Sequence, residues 1–95
     1  MTMAADSRLH KSHPDIVKRL KRAEGHLRSI VVMLEERRPC LDIAQQLHAV
    51  EKAVAQAKKT LVHDHIDHCL EHATDNDRRE GRRSLEEFKL ISKYL

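Results

Sequence analysis

The sequence has little of what many small folds depend on: no tryptophan, one phenylalanine, one tyrosine, two glycines, two prolines and two cysteines among 95 residues. With aromatics this scarce, any core must come from Leu, Ile, Val and Ala, and so few glycines and prolines leave long elements uninterrupted. An all-α architecture is the expectation. Two cysteines are too few for the disulfide framework of a small secreted domain, and reduced, metal-binding thiols account for them better. No apolar run approaches the roughly 20 residues of a membrane-spanning helix, and Met1 to His13 has no stretch resembling a secretion signal, so a soluble, cytoplasmic chain is expected. A chain this short leaves much of its surface exposed unless it packs against copies of itself. Enzyme chemistry is not expected: there is no Gly-rich phosphate loop, no carboxylate pair and no nucleophile with a positioned base, and Glu24, Glu35 and Glu51 read as solvated helix residues.

Charge is unevenly placed. The net charge is +3 and the pI near 9.1, yet Lys18, Arg19, Lys21, Arg22 and Arg28 gather in one early segment while acids are dispersed. A polyanion is one partner for such a segment. An ordinary solvated helix face is the other account, and composition does not separate them.

Ser12, Pro14 and Asp15 make a helix start, with proline near the first turn and an acid where the helix dipole favours it. Ile16, Leu20, Ala23, Leu27, Ile30 and Leu34 follow at steps of four and three, a single apolar stripe ending near Glu36. Pro39 interrupts it, so Arg37 to Cys40 form a short connection and the next helix returns as an antiparallel hairpin. That helix carries Ile43, Leu47, Val50, Val54, Ala57 and Leu61 on the same rhythm and runs from Leu41 to about Glu71. At about 1.5 Å per residue it spans on the order of 45 Å, more apolar stripe than one copy can bury. Asp75 to Arg83 is almost wholly polar and contains Gly81, which reads as a loop; Ser84 and Glu87 then form a capping-box pair ahead of Leu85, Phe88, Ile91 and Leu95, a short third helix. The organisation is thus a flexible N-terminal arm, residues 1–12, and one helical domain, residues 13–95.

His63, His65, His68, Cys69 and His72 crowd into ten residues of the second helix, a density of borderline and soft ligands that stability does not require. Taken singly, His48, His63 and His72 read as solvated surface residues. His65 and Cys69 are different, because a four-residue step puts an imidazole and a thiol on one face, one turn apart, beside the apolar stripe. Cys40 lies 25 residues before His65, roughly 37 Å along a continuous helix, so it cannot join them within one subunit. If two copies of the second helix pack antiparallel, Cys40 of one comes near His65 and Cys69 of the other, and the metal site bridges subunits.

The runs HPDIVKRLKRAEGHLRSI, PCLDIAQQLHAVEKAV and KKTLVHDHIDHCLEH resemble the CsoR/RcnR family of metal-responsive transcriptional repressors over about residues 13–72. Cys40, His65 and Cys69 fall on that family's Cys, His and Cys-or-His ligand positions. The resemblance implies three-helix protomers assembled as a dimer of dimers, a homotetramer that binds operator DNA without metal and lets go with metal. It implies basic contacts to the operator at Arg19, Arg22 and Lys52, with Lys18 and Lys21 beside them. No helix-turn-helix is visible, so readout is expected to rest on the DNA backbone and shape.

Wording such as HPDIVKRLKRAEGHL and HDHIDHC is similar to the nickel- and cobalt-responsive branch, in which an N-terminal His supplies a further ligand. Here the position reached by counting back from Cys40 is Arg8, and His10 and His13 are the nearby candidates. Cys40, His65 and Cys69 alone suit Cu(I); an added histidine suits Ni(II) or Co(II). Nickel or cobalt is the expectation, copper the alternative. Formaldehyde- and persulfide-sensing branches fit less well, given Cys69 and His65 respectively. A metal-storage or delivery protein is the rival of another class; it needs the same ligands but not the basic first helix.

Overall fold

A computed structural model of the chain describes residues 11–73 and 78–95. Three α-helices occur among them: α1 (His13–Glu35), α2 (Cys40–Ala73) and α3 (Arg78–Ile91), followed by a 3₁₀ turn at Ser92–Tyr94. There is no strand among the described residues, and the all-α three-helix protomer expected from composition and periodicity is what forms. No helix among the described residues is long and apolar enough to cross a membrane. The described residues group into two bodies, residues 14–58 and, separately, residues 11–13 with 59–73 and 78–95.

The first body is a helical hairpin, and its turn explains why the chain reverses where it does. Arg37 takes a left-handed conformation, with φ of 57°. The Arg37 amide donates to the Leu34 carbonyl at 3.1 Å and the Arg38 amide to the Met33 carbonyl at 3.0 Å. These paired bonds satisfy the last carbonyls of α1 in a Schellman termination. Pro39 cannot continue α1, but its carbonyl accepts from the Ile43 amide at 3.2 Å and so opens α2. Across the hairpin, Ile30, Ile43 and Val50 form a buried cluster with Met33 packed against it. The His26 ring nitrogen Nε2 and the Gln46 side-chain oxygen lie 2.6 Å apart on its exposed margin.

Burial divides each apolar stripe in two. Ile16, Ala23 and Ile30, seven residues apart, are buried, as are Ile43, Val50 and Ala57. The intervening Leu20, Leu27 and Leu34 on α1, and Leu47, Val54 and Leu61 on α2, stay exposed in the single chain. One heptad position in each helix is thus closed by the protomer itself, while a second row of large apolar side chains faces outward, more than the scattered exposure of a lone folded domain.

The second body corrects one expectation. Residues 78–83, read from sequence as loop, are helical, and Ser84 is not an N-cap: it lies inside α3, 7% exposed. Arg and Glu are good helix formers, so a polar stretch is no barrier to a helix, and the cost of Gly81, about 1 kcal/mol relative to alanine, is offset by packing. Gly81 and Ser84 are the buried residues of α3, with Phe88 and Ile91 half-buried further along the same face. Small residues occupy the near end of that face. The arginines of the helix are exposed, with Arg83 and Glu80 paired at 3.6 Å one turn apart.

Candidate metal centre

α2 presents His65 and Cys69 one turn apart on the face turned toward α3. Cys69 is 1% exposed and, with Val62, among the most enclosed side chains described, whereas the His65 side chain is 24% exposed. From α3, the Glu87 carboxylate oxygen Oε2 reaches the His65 nitrogen Nε2 at 3.2 Å. One donor atom each from His65, Cys69 and Glu87 lie within 4.8 Å of one another. The His68 ring stands beside that of His65, centroids 6.2 Å apart and tilted.

The donor chemistry fits a transition-metal ion. Burial, and after it the Glu87 carboxylate, push the Cys69 thiol above its ordinary pKa, so the metal-free site holds a neutral thiol. A cation among these groups would reverse both effects by compensating the thiolate and attracting the carboxylate. Imidazole and thiolate form a borderline-soft pair, more suited to Ni, Co, Cu or Zn than to Mg or Ca, with the carboxylate beside the imidazole.

Of the residues singled out from sequence, His65 and Cys69 are brought together. Cys40, exposed, is the first residue of α2 and takes no part in the cluster within this chain. His13 begins α1 and is half-buried. Its neighbour Ser12 donates a hydrogen bond from Oγ to Asp64 Oδ2 at 2.7 Å, which sets the start of α1 beside the residue that precedes His65. His10, Arg8 and nearly all of the expected arm lie outside the described residues, as does the His72 side chain. His48 and His63 are exposed. Glu87 was missed, because its place in a supposed capping box concealed a carboxylate on the packed side of a longer helix.

Lys18, Arg19, Lys21, Arg22 and Lys52 are all exposed. Arg19 is engaged: its Nε donates to Asp15 Oδ2 at 2.8 Å. That hydrogen bond, and then the Arg19 charge, hold the Asp15 carboxyl below its usual pKa, with smaller help from Lys18 and Arg22.

Residues 12–93 match the family described as metal-sensitive transcriptional repressor. The chain belongs to this family, the CsoR/RcnR repressors, whose members are not enzymes. The copper-sensing transcriptional repressor CsoR of Bacillus subtilis is 38% identical over 82 residues, covering 83% of this chain and 79% of that protein. CsoR of Mycobacterium ulcerans, also copper-sensing, is 36% identical over 70 residues, 74% of this chain but 58% of that protein. The chain thus spans less than two thirds of the length of the mycobacterial relative. Among solved structures, the nickel-responsive transcriptional regulator InrS superposes with a TM-score of 0.76 at 30% identity, covering 90% of this chain and 96% of that one. Copper and nickel are therefore both represented among the relatives of this chain.

Proposed function

We propose that this chain is a cytoplasmic, homotetrameric repressor that holds operator DNA when metal-free and releases it on binding Ni(II) or Co(II), so that metal-efflux genes are expressed. The observation that carries the reading is the convergence of His65, Cys69 and Glu87, with donor atoms within 4.8 Å of one another. His65 and Cys69 are the ligands from one subunit and Cys40 of a partner copy is the third. Its position 25 residues before His65 on the same continuous helix supports a ligand supplied between subunits. His13 or His10 adds a nitrogen. The Ser12 bond to Asp64 supports this, since it tethers the end of the arm next to His65. Glu87 orients His65 through the ring nitrogen that does not coordinate, as carboxylates commonly do for metal-bound histidines.

Lys18, Arg19, Lys21 and Arg22 on α1, with Lys52 on α2, contact operator phosphates. The link between the two activities is thermodynamic. A bound ion favours the arrangement of subunits that brings Cys40 to His65 and Cys69, and that arrangement grips DNA less well; DNA weakens ion binding by the same factor. A second reading has Cu(I) as the signal, favoured by the copper-sensing relatives and by a site of Cys40, His65 and Cys69 alone.

The test is an anaerobic titration of reduced protein with Ni(II), Co(II) and Cu(I), following thiolate charge-transfer absorption and, in parallel, the anisotropy of a labelled duplex from directly upstream of the chain's own coding sequence. Tight Ni(II) or Co(II) binding, weakened by His13→Ala or His10→Ala and accompanied by DNA release, is the expected result. Tight Cu(I) binding indifferent to both substitutions makes this a copper sensor. Metal binding with no DNA binding in any state leaves a storage or delivery protein.

A further inference from the structure

The first half of α3 is crowded with arginine in a way that helix stability does not ask for. Arg78 and Arg79 occupy its first turn, where the helix dipole favours acids, and Arg82 and Arg83 follow one turn later. All four are exposed and line one shallow concavity together with Glu86. On the helix they stand opposite the packed face of Gly81 and Ser84, so the small residues that seat the helix also turn the arginines outward. Lys89 continues the row two turns beyond Arg82 and is exposed as well. Among the described residues basic groups outnumber acids on this face: Glu80 is paired to Arg83 at its edge, Glu87 is turned to His65, and Glu86 lies within it.

We propose that this outward face of α3 is a second phosphate-contacting surface for duplex DNA, separate in sequence and element from the basic groups of α1. The inference rests on the repressor reading above and adds an element to it. Guanidinium groups bind phosphate oxygens in pairs and remain charged at every relevant pH, which suits a row of them to a phosphate backbone. Residues one turn apart, as Arg78 and Arg82 are, stand about 6 Å apart along the helix axis. A DNA strand advances about 3.4 Å per phosphate, so such a pair spans about two phosphates of one strand. Contacts of this kind add affinity and salt dependence without adding sequence preference.

The variant Arg78→Gln/Arg82→Gln tests it, with Arg78→Lys/Arg82→Lys as the charge-preserving control. Binding is measured from low to high salt on the duplex upstream of the chain's own coding sequence and on a scrambled duplex of equal length. Each lost phosphate contact should flatten the slope of log affinity against log salt by about 0.9. The glutamine variant is therefore expected to lose nearly two units of slope and to weaken on both duplexes alike, with Ni(II) affinity and helical circular dichroism unchanged, while the lysine variant keeps the slope. Wild-type binding with no change in slope or affinity in the glutamine variant overturns the α3 surface and leaves the repressor reading intact. A change on one duplex only also overturns it, because backbone contact is blind to sequence. Failure of the wild type to bind either duplex removes the repressor reading itself. Inorganic phosphate binding to the wild type, abolished in the glutamine variant whose DNA binding is unaltered, would make the face a small-anion site and overturn the DNA assignment.

Discussion

Ser12 and Asp64 are joined by a 2.7 Å hydrogen bond across 52 residues of sequence. It binds the residue before His13 to the residue before His65. A side-chain hydrogen bond of this kind contributes about 1 kcal/mol to stability, and under the proposed function its position gives it a further consequence: it holds the start of α1 beside the turn of α2 that carries His65, from which an N-terminal histidine would be recruited. Ser12→Ala should lower Ni(II) affinity several-fold and leave Cu(I) affinity unchanged, because only the ion that recruits an N-terminal nitrogen depends on the tether. Ser12→Thr, which keeps the hydroxyl, should restore Ni(II) binding. Competition titrations against a chelator read both values. Equal losses for the two ions would show the bond to be structural alone.

Cys69 supplies the next prediction, through its proton. Its thiol pKa is raised by burial and then by Glu87, so at neutral pH the metal-free site carries the proton and binding must expel it. Apparent metal affinity should therefore rise with pH, by up to about tenfold per unit for this one proton, until the folded-state thiol ionises. Stability of the metal-free protein follows the matching sign. A pKa raised on folding gives stability that is fully present below the unfolded thiol's pKa and is lost as pH climbs from there through the folded value. Glu87→Gln removes one of the two causes and should shrink that alkaline loss. The same substitution should cost about 10- to 100-fold in metal affinity, the usual effect of removing a carboxylate that orients a metal-bound histidine. Denaturation midpoints at neutral and alkaline pH, together with metal titrations across the same range, check both halves.

The two outcomes at this site show what sequence carries and what it does not. His65 and Cys69 were legible because a four-residue step on a helix fixes which side chains share a face. The two apolar stripes and the break at Pro39 were legible for the same local reason. Glu87 was not, since it enters from another helix and its meaning depends on where that helix begins. The beginning was hidden because the packed end of α3 is made of Gly81 and Ser84, which a hydrophobic pattern does not register. The Ser12 to Asp64 bond was beyond reach as well, being a tertiary contact between two polar residues that each have other local explanations. Pattern reveals burial by apolar groups; burial of small and polar groups has to be seen.

At the hairpin, Arg37 holds a positive φ of 57° without being glycine. For an L-residue this conformation costs roughly 1–2 kcal/mol, whereas glycine adopts it freely but loses more chain entropy on folding. Arg37→Gly should therefore stabilise the protein, by about 0.5–1 kcal/mol. The urea midpoint should rise with an unchanged denaturant slope, since no surface is newly buried. Arg37→Val, branched at Cβ and poorly suited to that region, should move the midpoint the other way.

The exposed apolar rows make the last prediction, because a protomer on its own has no use for them. Leu27 and Val54 are 44% and 43% exposed in the single chain, and at such positions a substitution in a monomer usually changes stability by no more than about 0.5 kcal/mol. If these rows close against other copies, a charge placed there meets a packed apolar seam, and the outcome is far larger. Leu27→Glu and Val54→Lys should each convert the assembly to smaller species in sedimentation equilibrium, with stability that now depends on protein concentration. They should also abolish tight metal binding, since Cys40 can no longer meet a partner's His65 and Cys69. Ile30→Ala serves as the contrast. It empties a position in the hairpin's own cluster with Ile43 and Val50 and should cost about 2–5 kcal/mol, acting on the protomer rather than on its contacts with others. A Leu27→Glu protein that assembles as the wild type does and still binds metal tightly would mean that these rows serve something other than self-assembly, and would count against the proposed role of a partner's Cys40 at the site.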